Sequence, residues 1–151
     1  MNQGFAAAVQ ARGNEVEMPR EIESTCNEFQ QTVSLSLIRH RSVLDVMTKY
    51  QDACARVNRA LAKSVTSCGC LEINAAKQEL PADASLSEMS EYVKTHLEGR
   101  LCPNCAEIIE EELGKSLFFL AAICTLTGID LHGVIKREND RIATLGFYSL
   151  T

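Results

Sequence analysis

Apolar residues recur at helical spacing along most of the chain. From Pro19 to about Val65 they follow a seven-residue rhythm, which is typical of a long helix or of two helices packed in a bundle. A capping-box pattern, Ser42 to Asp45, favours a break near residues 40–42, and the helix that follows should end near Ser67. The two apolar positions of the rhythm are occupied by Cys26, Val33, His40, Met47, Cys54 and Leu61, and by Phe29, Val43, Tyr50 and Val57.

A second periodic segment, Leu101 to Gly128, predicts the central helix of the protein. Pro103 suits the first turn of a helix, and Gly128 suits a C-terminal cap. After it, Asp130 is expected to cap a last helix that Gly146 ends. The apolar positions of the central helix are Ile108, Leu113, Leu117, Leu120, Ala121 and Cys124.

The remaining stretches have weaker patterns. Residues 71–84 lack helical periodicity and predict a connecting loop, whereas the capping-box match Ser85 to Glu88 predicts a short helix that continues to Gly99. Residues 1–18 have no sustained apolar stripe and predict a disordered tail before a single domain, 19–151. The predicted fold class is therefore all-α, a bundle of four to five helices.

Composition restricts the location and the partners of the protein. The chain has 151 residues, of which 46% are hydrophobic, enough for one domain with a true core. No run approaches the ~18 uninterrupted apolar residues of a membrane span, and the amino terminus lacks the layout of a secretory signal. We therefore expect a cytoplasmic protein without membrane association. A net charge of −5 argues against general nucleic-acid binding.

Seven cysteines supply the most specific chemical signal in the sequence. An odd number fits poorly with a fully disulfide-paired secreted module. Cys68 and Cys70 flank a glycine, and Cys102 and Cys105 have the C-x2-C spacing at a helix start. Four soft ligands in two pairs predict a closed, structural zinc site, which would fasten the end of one helix to the start of another as a zinc staple.

Two other interpretations of these cysteines stay open. The string CPNC, Cys102 to Cys105, resembles a dithiol active site at a helix start and favours a redox-active pair, although no thioredoxin-type βαβ pattern surrounds it. Alternatively the thiols are unligated. His96 lies six residues before Cys102 and is an alternative metal ligand. The three other cysteines, Cys26, Cys54 and Cys124, fall on apolar helix faces and are expected to be buried.

The central helix also carries a resemblance to a known family. The string EELGKSLFFL, residues 111–120, followed by TGIDL, residues 127–131, resembles the MazG-like all-α nucleoside triphosphate pyrophosphohydrolases. The resemblance implies a dimeric helical bundle in which two acidic motifs, E-x-x-E and E-x-x-D on facing helices, hold Mg²⁺ against the phosphates of a nucleotide. The chain also resembles a family of small proteins from Gram-positive bacteria, which supplies no function.

Most of the metal-binding motif of that family is replaced in this chain. Glu112 matches the first acid of E-x-x-D, but Lys115 occupies the position of the second, and the earlier motif is replaced by Ala53 and Arg56. Basic side chains in place of oxygen ligands disfavour Mg²⁺. They favour a cleft, with Arg59 and Lys49 nearby, that binds phosphate directly.

These observations lead to one prediction of function and two alternatives. We expect a zinc-stapled, MazG-like dimer without catalytic activity that binds a nucleotide, another phosphate ligand or a protein partner. The first alternative is a divergent pyrophosphohydrolase that uses Mg²⁺, Asp52, Glu111 and Glu112, and the second is a thiol redox sensor. The predicted ligand-binding residues are Arg56, Arg59, Glu112 and Lys115, and the predicted metal ligands are Cys68, Cys70, Cys102 and Cys105.

Overall fold

The computed structural model describes residues 20–38, 41–81, 83 and 88–145, and within these ranges the chain is mostly helical. A π-helical turn, Ser64–Cys68, continues the second helix. The predicted tail, residues 1–18, and the predicted stop at Gly146 lie outside the described residues. The elements are α1 (Arg20–Ser36), α2 (Val43–Lys63), β1 (Leu71–Ile73), α3 (Met89–Tyr92), β2 (Leu97–Gly99), α4 (Pro103–Thr127) and α5 (Leu131–Leu145).

The predicted break between the first two helices is confirmed, since α1 ends at Ser36 and α2 begins at Val43. Ser42 occupies the N-cap position with extended backbone angles, and its carbonyl accepts the first hydrogen bond of α2 from the Val46 N–H at 3.1 Å. The side chain of Ser42, however, makes no capping hydrogen bond. The capping-box pattern therefore gave the correct helix start but not the predicted contact.

Both ends of α4 are as predicted. Pro103 occupies the first turn, and Gly128 ends the helix with a left-handed φ of 71°. The carboxylate of Asp130 then accepts a hydrogen bond from the Gly133 N–H at 2.7 Å, which confirms it as the cap of α5. Among the described residues no single helix has the length and apolarity of a membrane span, and α4 and α5 reach them only as a pair bent by 108°.

The structure is mostly helical, as predicted, but it also contains two short strands that the sequence did not predict. β1 pairs with β2 in an antiparallel ladder that sets Leu71 opposite Gly99 and Ile73 opposite Leu97. The loop predicted over residues 71–84 therefore contains a strand, and the helix predicted to reach Gly99 is the four-residue α3. Strands of three residues are too short to show an alternating pattern, which is why the sequence did not reveal them.

The core lies where α4 crosses α1 and α2. Ala121 and Ala122 of α4 are fully buried, and their small side chains let the neighbouring helices approach closely. Of the three cysteines predicted to be buried, Cys124 is in this core, whereas Cys26 and Cys54 are only half-buried. The buried cluster comprises Val33, Leu37, Val46, Ala121, Ala122, Cys124 and Leu131.

Candidate metal centre

The four cysteines of the two close pairs converge on one point. Their Sγ atoms all lie within 4.8 Å of one another, and those of Cys68 and Cys102 are 3.7 Å apart. A tetrahedron of sulfur atoms around Zn²⁺, with bonds of about 2.3 Å, has edges of about 3.8 Å. The geometry is therefore that of a tetrathiolate metal site, and it joins residues 34 positions apart in sequence.

The first pair is shaped by two glycines with left-handed backbone angles. Gly69, between Cys68 and Cys70, has a φ of 73°, which turns the chain so that both thiols face the same point. Gly99 on β2 has a φ of 83°, and a Cβ built on it would lie 2.5 Å from the Cys70 carbonyl oxygen. Only a residue without a side chain lets β2 approach Cys70, whose carbonyl accepts a hydrogen bond from the Arg100 N–H at 3.1 Å.

The second pair is shaped by the start of α4. Cys102 is the N-cap residue and Cys105 lies in the first turn, where backbone N–H groups point toward the thiols. The Cys105 N–H, and then the thiols of Cys105 and Cys68, lower the pKa of Cys102 to about 7. Cys102 is therefore partly a thiolate at neutral pH, which is the form that binds metal.

The pKa of Cys105 is shifted in the opposite direction. Its burial, followed by its hydrogen bonds with the neighbouring thiols, raises the pKa of Cys105 to about 12 when no cation is present. A bound divalent cation supplies the positive charge that deprotonates such a thiol. The site is therefore suited to a metal, which would favour the deprotonated form of Cys105.

Groups around the cysteines hold the π-helical turn in place. The Cys70 thiol lies 3.7 Å from the Ser64 carbonyl oxygen, and the fully buried Ser64 hydroxyl donates to the Leu61 carbonyl at 2.6 Å. Outer contacts of this kind orient metal ligands.

His96 is not one of the converging ligands, because its ring nitrogens lie 3.1 Å from the Asn74 carbonyl oxygen and 2.8 Å from the Gln78 amide nitrogen.

A second candidate site is a cleft of about 320 Å³ between α2 and α4. Arg56 and Lys115 both line it, as does Asp52, whereas Arg59 is exposed and outside the lining. Sequence reasoning missed the aromatic pair of the cleft, although its spacing from Lys115 on a helix was a usable signal. The complete lining is Lys49, Asp52, Ala53, Arg56, Lys115, Phe118 and Phe119.

The charges of this cleft are largely paired with one another. Arg56 donates to the Asp52 carboxylate at 2.9 Å, and the Lys115 ammonium contacts Glu112 at 2.8 Å and Glu111 at 2.9 Å. The hydrogen bonds that Lys115 donates to Glu112 and then to Glu111 raise the pKa of Lys115, so this lysine stays cationic at neutral pH. Among the described residues, the second carboxylate oxygen of Glu112 is buried and has no hydrogen-bond partner.

These contacts bear on the magnesium motif as well. Each of the three acids that a divergent pyrophosphohydrolase would use is held by a basic side chain. Over residues 20–38, 41–81, 83 and 88–145, only the four cysteines converge as a group of three or more metal-ligating side chains. No protein-family model, curated protein or solved structure matches the chain.

Proposed function

We propose that the protein is a zinc-binding helical protein in which Cys68, Cys70, Cys102 and Cys105 hold one structural Zn²⁺. The observation that carries this proposal is the convergence of four Sγ atoms within 4.8 Å. Thiolates are soft ligands that select zinc over magnesium or calcium. Four protein ligands fill a tetrahedral coordination sphere, so the metal has no open position for a substrate.

The zinc would connect the end of the π-helical turn to the start of α4. It would also close the segment that contains β1, α3 and β2. Because the ligands are far apart in an unfolded chain, the free energy of metal binding contributes directly to folding. The site therefore stabilises the junction of α2 and α4.

Metal analysis of protein purified in reducing buffer tests this proposal. We expect one zinc per chain, and we expect its loss in Cys105→Ser, because three thiolates and a buried hydroxyl bind zinc far more weakly. Cys26→Ser, which changes a half-buried thiol outside the cluster, is the matched control and should keep its zinc.

Protein that lacks metal and forms a reversible Cys102–Cys105 disulfide would contradict the structural role. That result would instead support the redox alternative, for which the lowered pKa of Cys102 is the favourable observation. An enzyme-like dithiol should also react with alkylating agents at neutral pH, whereas zinc-bound thiolates are protected.

We further propose that the cleft between α2 and α4 binds a phosphate-bearing ligand such as a nucleotide, without catalysis. Arg56 and Lys115 provide cationic donors on opposite walls, and Lys49 adds a third. Phe118 and Phe119 offer an aromatic surface on which a base could stack. The proposal includes the MazG-like fold that the resemblance of the central helix implies.

Calorimetric titration with ATP and with inorganic pyrophosphate tests the cleft. Arg56→Glu and Lys115→Glu should each weaken binding by at least about tenfold, since a like charge replaces a phosphate donor. Lys77→Glu makes the same charge change on an exposed loop and should have little effect, and Arg59→Glu should have less effect than Arg56→Glu.

Equal losses in all four variants would show a general charge effect and contradict a defined site. The enzyme alternative has its own signature, which is release of pyrophosphate from a nucleoside triphosphate that requires Mg²⁺ and disappears in Glu112→Gln. Since Lys115 already contacts Glu112, we expect wild-type protein to show no such release.

A further inference from the structure

Both walls of the cleft lead to the cysteine cluster. Helix α2, which carries Arg56, continues through the π-helical turn to Cys68, and α4, which carries Lys115, begins beside Cys102. The two packed helices run antiparallel, because the end of one meets the start of the other at the cluster. At a rise of about 1.5 Å per residue, Arg56 and Lys115 lie about 15 to 20 Å along their helices from these cysteines. A metal held by the cluster is therefore joined to each wall through its own helix.

Buried residues mark only the two ends of this contact between α2 and α4. On the side of the hydrophobic core, Ala53 of α2 and Ala121 of α4 are buried, and at the cysteine end Ser64 and Cys105 are buried. Residues 54–63 of α2 and 106–120 of α4, all of which the structure describes, are half-buried or exposed. The contact between the cleft and the cysteines therefore depends on what holds the cysteine end.

The ion pairs of the cleft do not hold its walls together. Arg56 is paired with Asp52 of the same helix, at 2.9 Å. Lys115 is likewise paired within α4, with Glu111 at 2.9 Å and Glu112 at 2.8 Å. Each wall keeps these pairs when the helices separate, so the pairs do not oppose separation.

Glu112 favours separation of the helices. It lies one helical turn before Lys115, on the same side of α4, and its side chain is 14% exposed. One carboxylate oxygen contacts Lys115, whereas among the described residues the other is buried and has no hydrogen-bond partner. An unpartnered carboxylate oxygen is costly to bury, and water can reach it once the helices part. The closed pair therefore needs a tie at its cysteine end.

We propose that metal binding at the cysteine cluster controls the affinity of the cleft for its phosphate-bearing ligand. This inference rests on both proposed functions, the structural Zn²⁺ and the ligand in the cleft. Zinc holds the ends of α2 and α4 together, which keeps Arg56 and Lys115 within reach of one ligand. Without zinc the two helices part from the cysteine end, while the hydrophobic core still holds the other end.

The coupling acts in both directions. A ligand that contacts both walls binds the closed state better than the open state, and zinc binds only where all four cysteines meet. By thermodynamic linkage, the ligand must therefore raise the affinity for zinc by the same factor by which zinc raises the affinity for the ligand.

Calorimetric titration of the full-length protein with AMP tests the first direction. AMP is the probe because one phosphate chelates Zn²⁺ weakly, whereas pyrophosphate and ATP compete for the metal. Zinc-free protein should bind AMP at least about fivefold more weakly than zinc-loaded protein, the lower end of the range for coupled sites. Cys105→Ser should show the same loss without any chelator, and Cys26→Ser, outside the cluster, should bind like wild type.

Competition with a chromogenic zinc chelator tests the second direction in wild-type protein. Saturating AMP should raise the zinc affinity by the factor found in the titration. Arg56→Glu, which removes a donor of the cleft, should abolish this effect of AMP. Lys77→Glu makes the same charge change on an exposed loop and should keep it. An effect that persists in Arg56→Glu would mean that AMP acts outside the cleft and would overturn the proposal.

The remaining outcomes separate this inference from the functions on which it rests. Equal AMP affinity with and without zinc would overturn the coupling and leave both sites standing. Absence of AMP binding to zinc-loaded protein would remove the cleft as a ligand site, and failure to bind zinc would remove the metal centre; either result would overturn the coupling as well. Loss of helical circular dichroism on zinc removal would also overturn it, because the metal would then control the whole fold rather than one junction.

Discussion

Gly99 shows how a single residue outside the four cysteines can control the geometry of the candidate metal site. Its φ of 83° disfavours any side chain, and a Cβ would also lie 2.5 Å from the Cys70 carbonyl oxygen. Gly69 has a similar φ of 73°, but apart from its two chain neighbours no described residue has an atom within 4 Å of its Cβ position. The two glycines therefore separate the cost of backbone strain from the cost of a steric clash.

Thermal unfolding of alanine variants measures this difference. Gly69→Ala should lower the free energy of unfolding by about 1 kcal/mol, which is the cost of a left-handed alanine. Gly99→Ala should cost about 1 to 2 kcal/mol more and weaken zinc binding, because β2 must move away from Cys70. Gly114→Ala, in the middle of α4 with open space around it, should be neutral or stabilising. Equal effects at Gly69 and Gly99 would refute the steric argument.

At the scale of elements, the cysteine cluster and the hydrophobic core lie at opposite ends of the packed helices. The buried cluster joins α1 to the later turns of α4 and to the start of α5. The cysteines instead join the end of α2, the two strands and the first turn of α4. The strand pair contains Leu71 as its buried residue, whereas Ile73 and Leu97 are 58% and 45% exposed. The proposed metal would therefore stabilise the strands more than burial does.

Removal of the metal should consequently loosen one end only. After chelation we expect the amides of Asn74 and Arg100, which hydrogen-bond across the strand region, to exchange with solvent at least about tenfold faster. The amides of α4 around Ala121 and Ala122 should keep most of their protection, because the core that covers them contains no ligand. Hydrogen exchange with and without chelator measures both. Uniform loss of protection would show instead that the metal stabilises the whole fold.

The same division explains which elements the sequence could predict. The bounds of α4 follow from local signals, a proline at the start and a glycine at the end, and the four cysteines of the cluster were indicated by the close spacing within each pair. The strand pair depends on Gly99 meeting Cys70, a contact that no local pattern contains. Gln30 is a further case, since its amide donates to the Ile129 carbonyl and accepts from the Leu131 N–H, each at 2.8 Å, across about 100 residues.

At the scale of the whole molecule, the rotation of each helix about its own axis determines which side chains line the same site. The sequence named Arg56, Arg59 and Lys115 together, but only the packed α2 and α4 show that Arg56 and Lys115 line one cleft and Arg59 does not. The predicted dimer belongs to this scale too, because the seven-residue rhythm of α2 has more apolar positions than α4 alone covers. The charged cleft and the cysteine cluster thus both lie on the α2–α4 pair.

The distance in sequence between α2 and α4 has a consequence for synthesis of the protein. The last residue of α2 and the first of α4, Lys63 and Pro103, are separated by a segment that contains the strands and α3. At ribosomal rates of about 5–20 residues per second, some 40 residues take about 2–8 s to synthesise. During that interval only the first cysteine pair, half of the four-cysteine cluster, has been made. The apolar side chains of α2 that pack on α4 in the folded protein are still uncovered. The newly made chain therefore passes through a period in which a chaperone or another growing copy can bind α2 first.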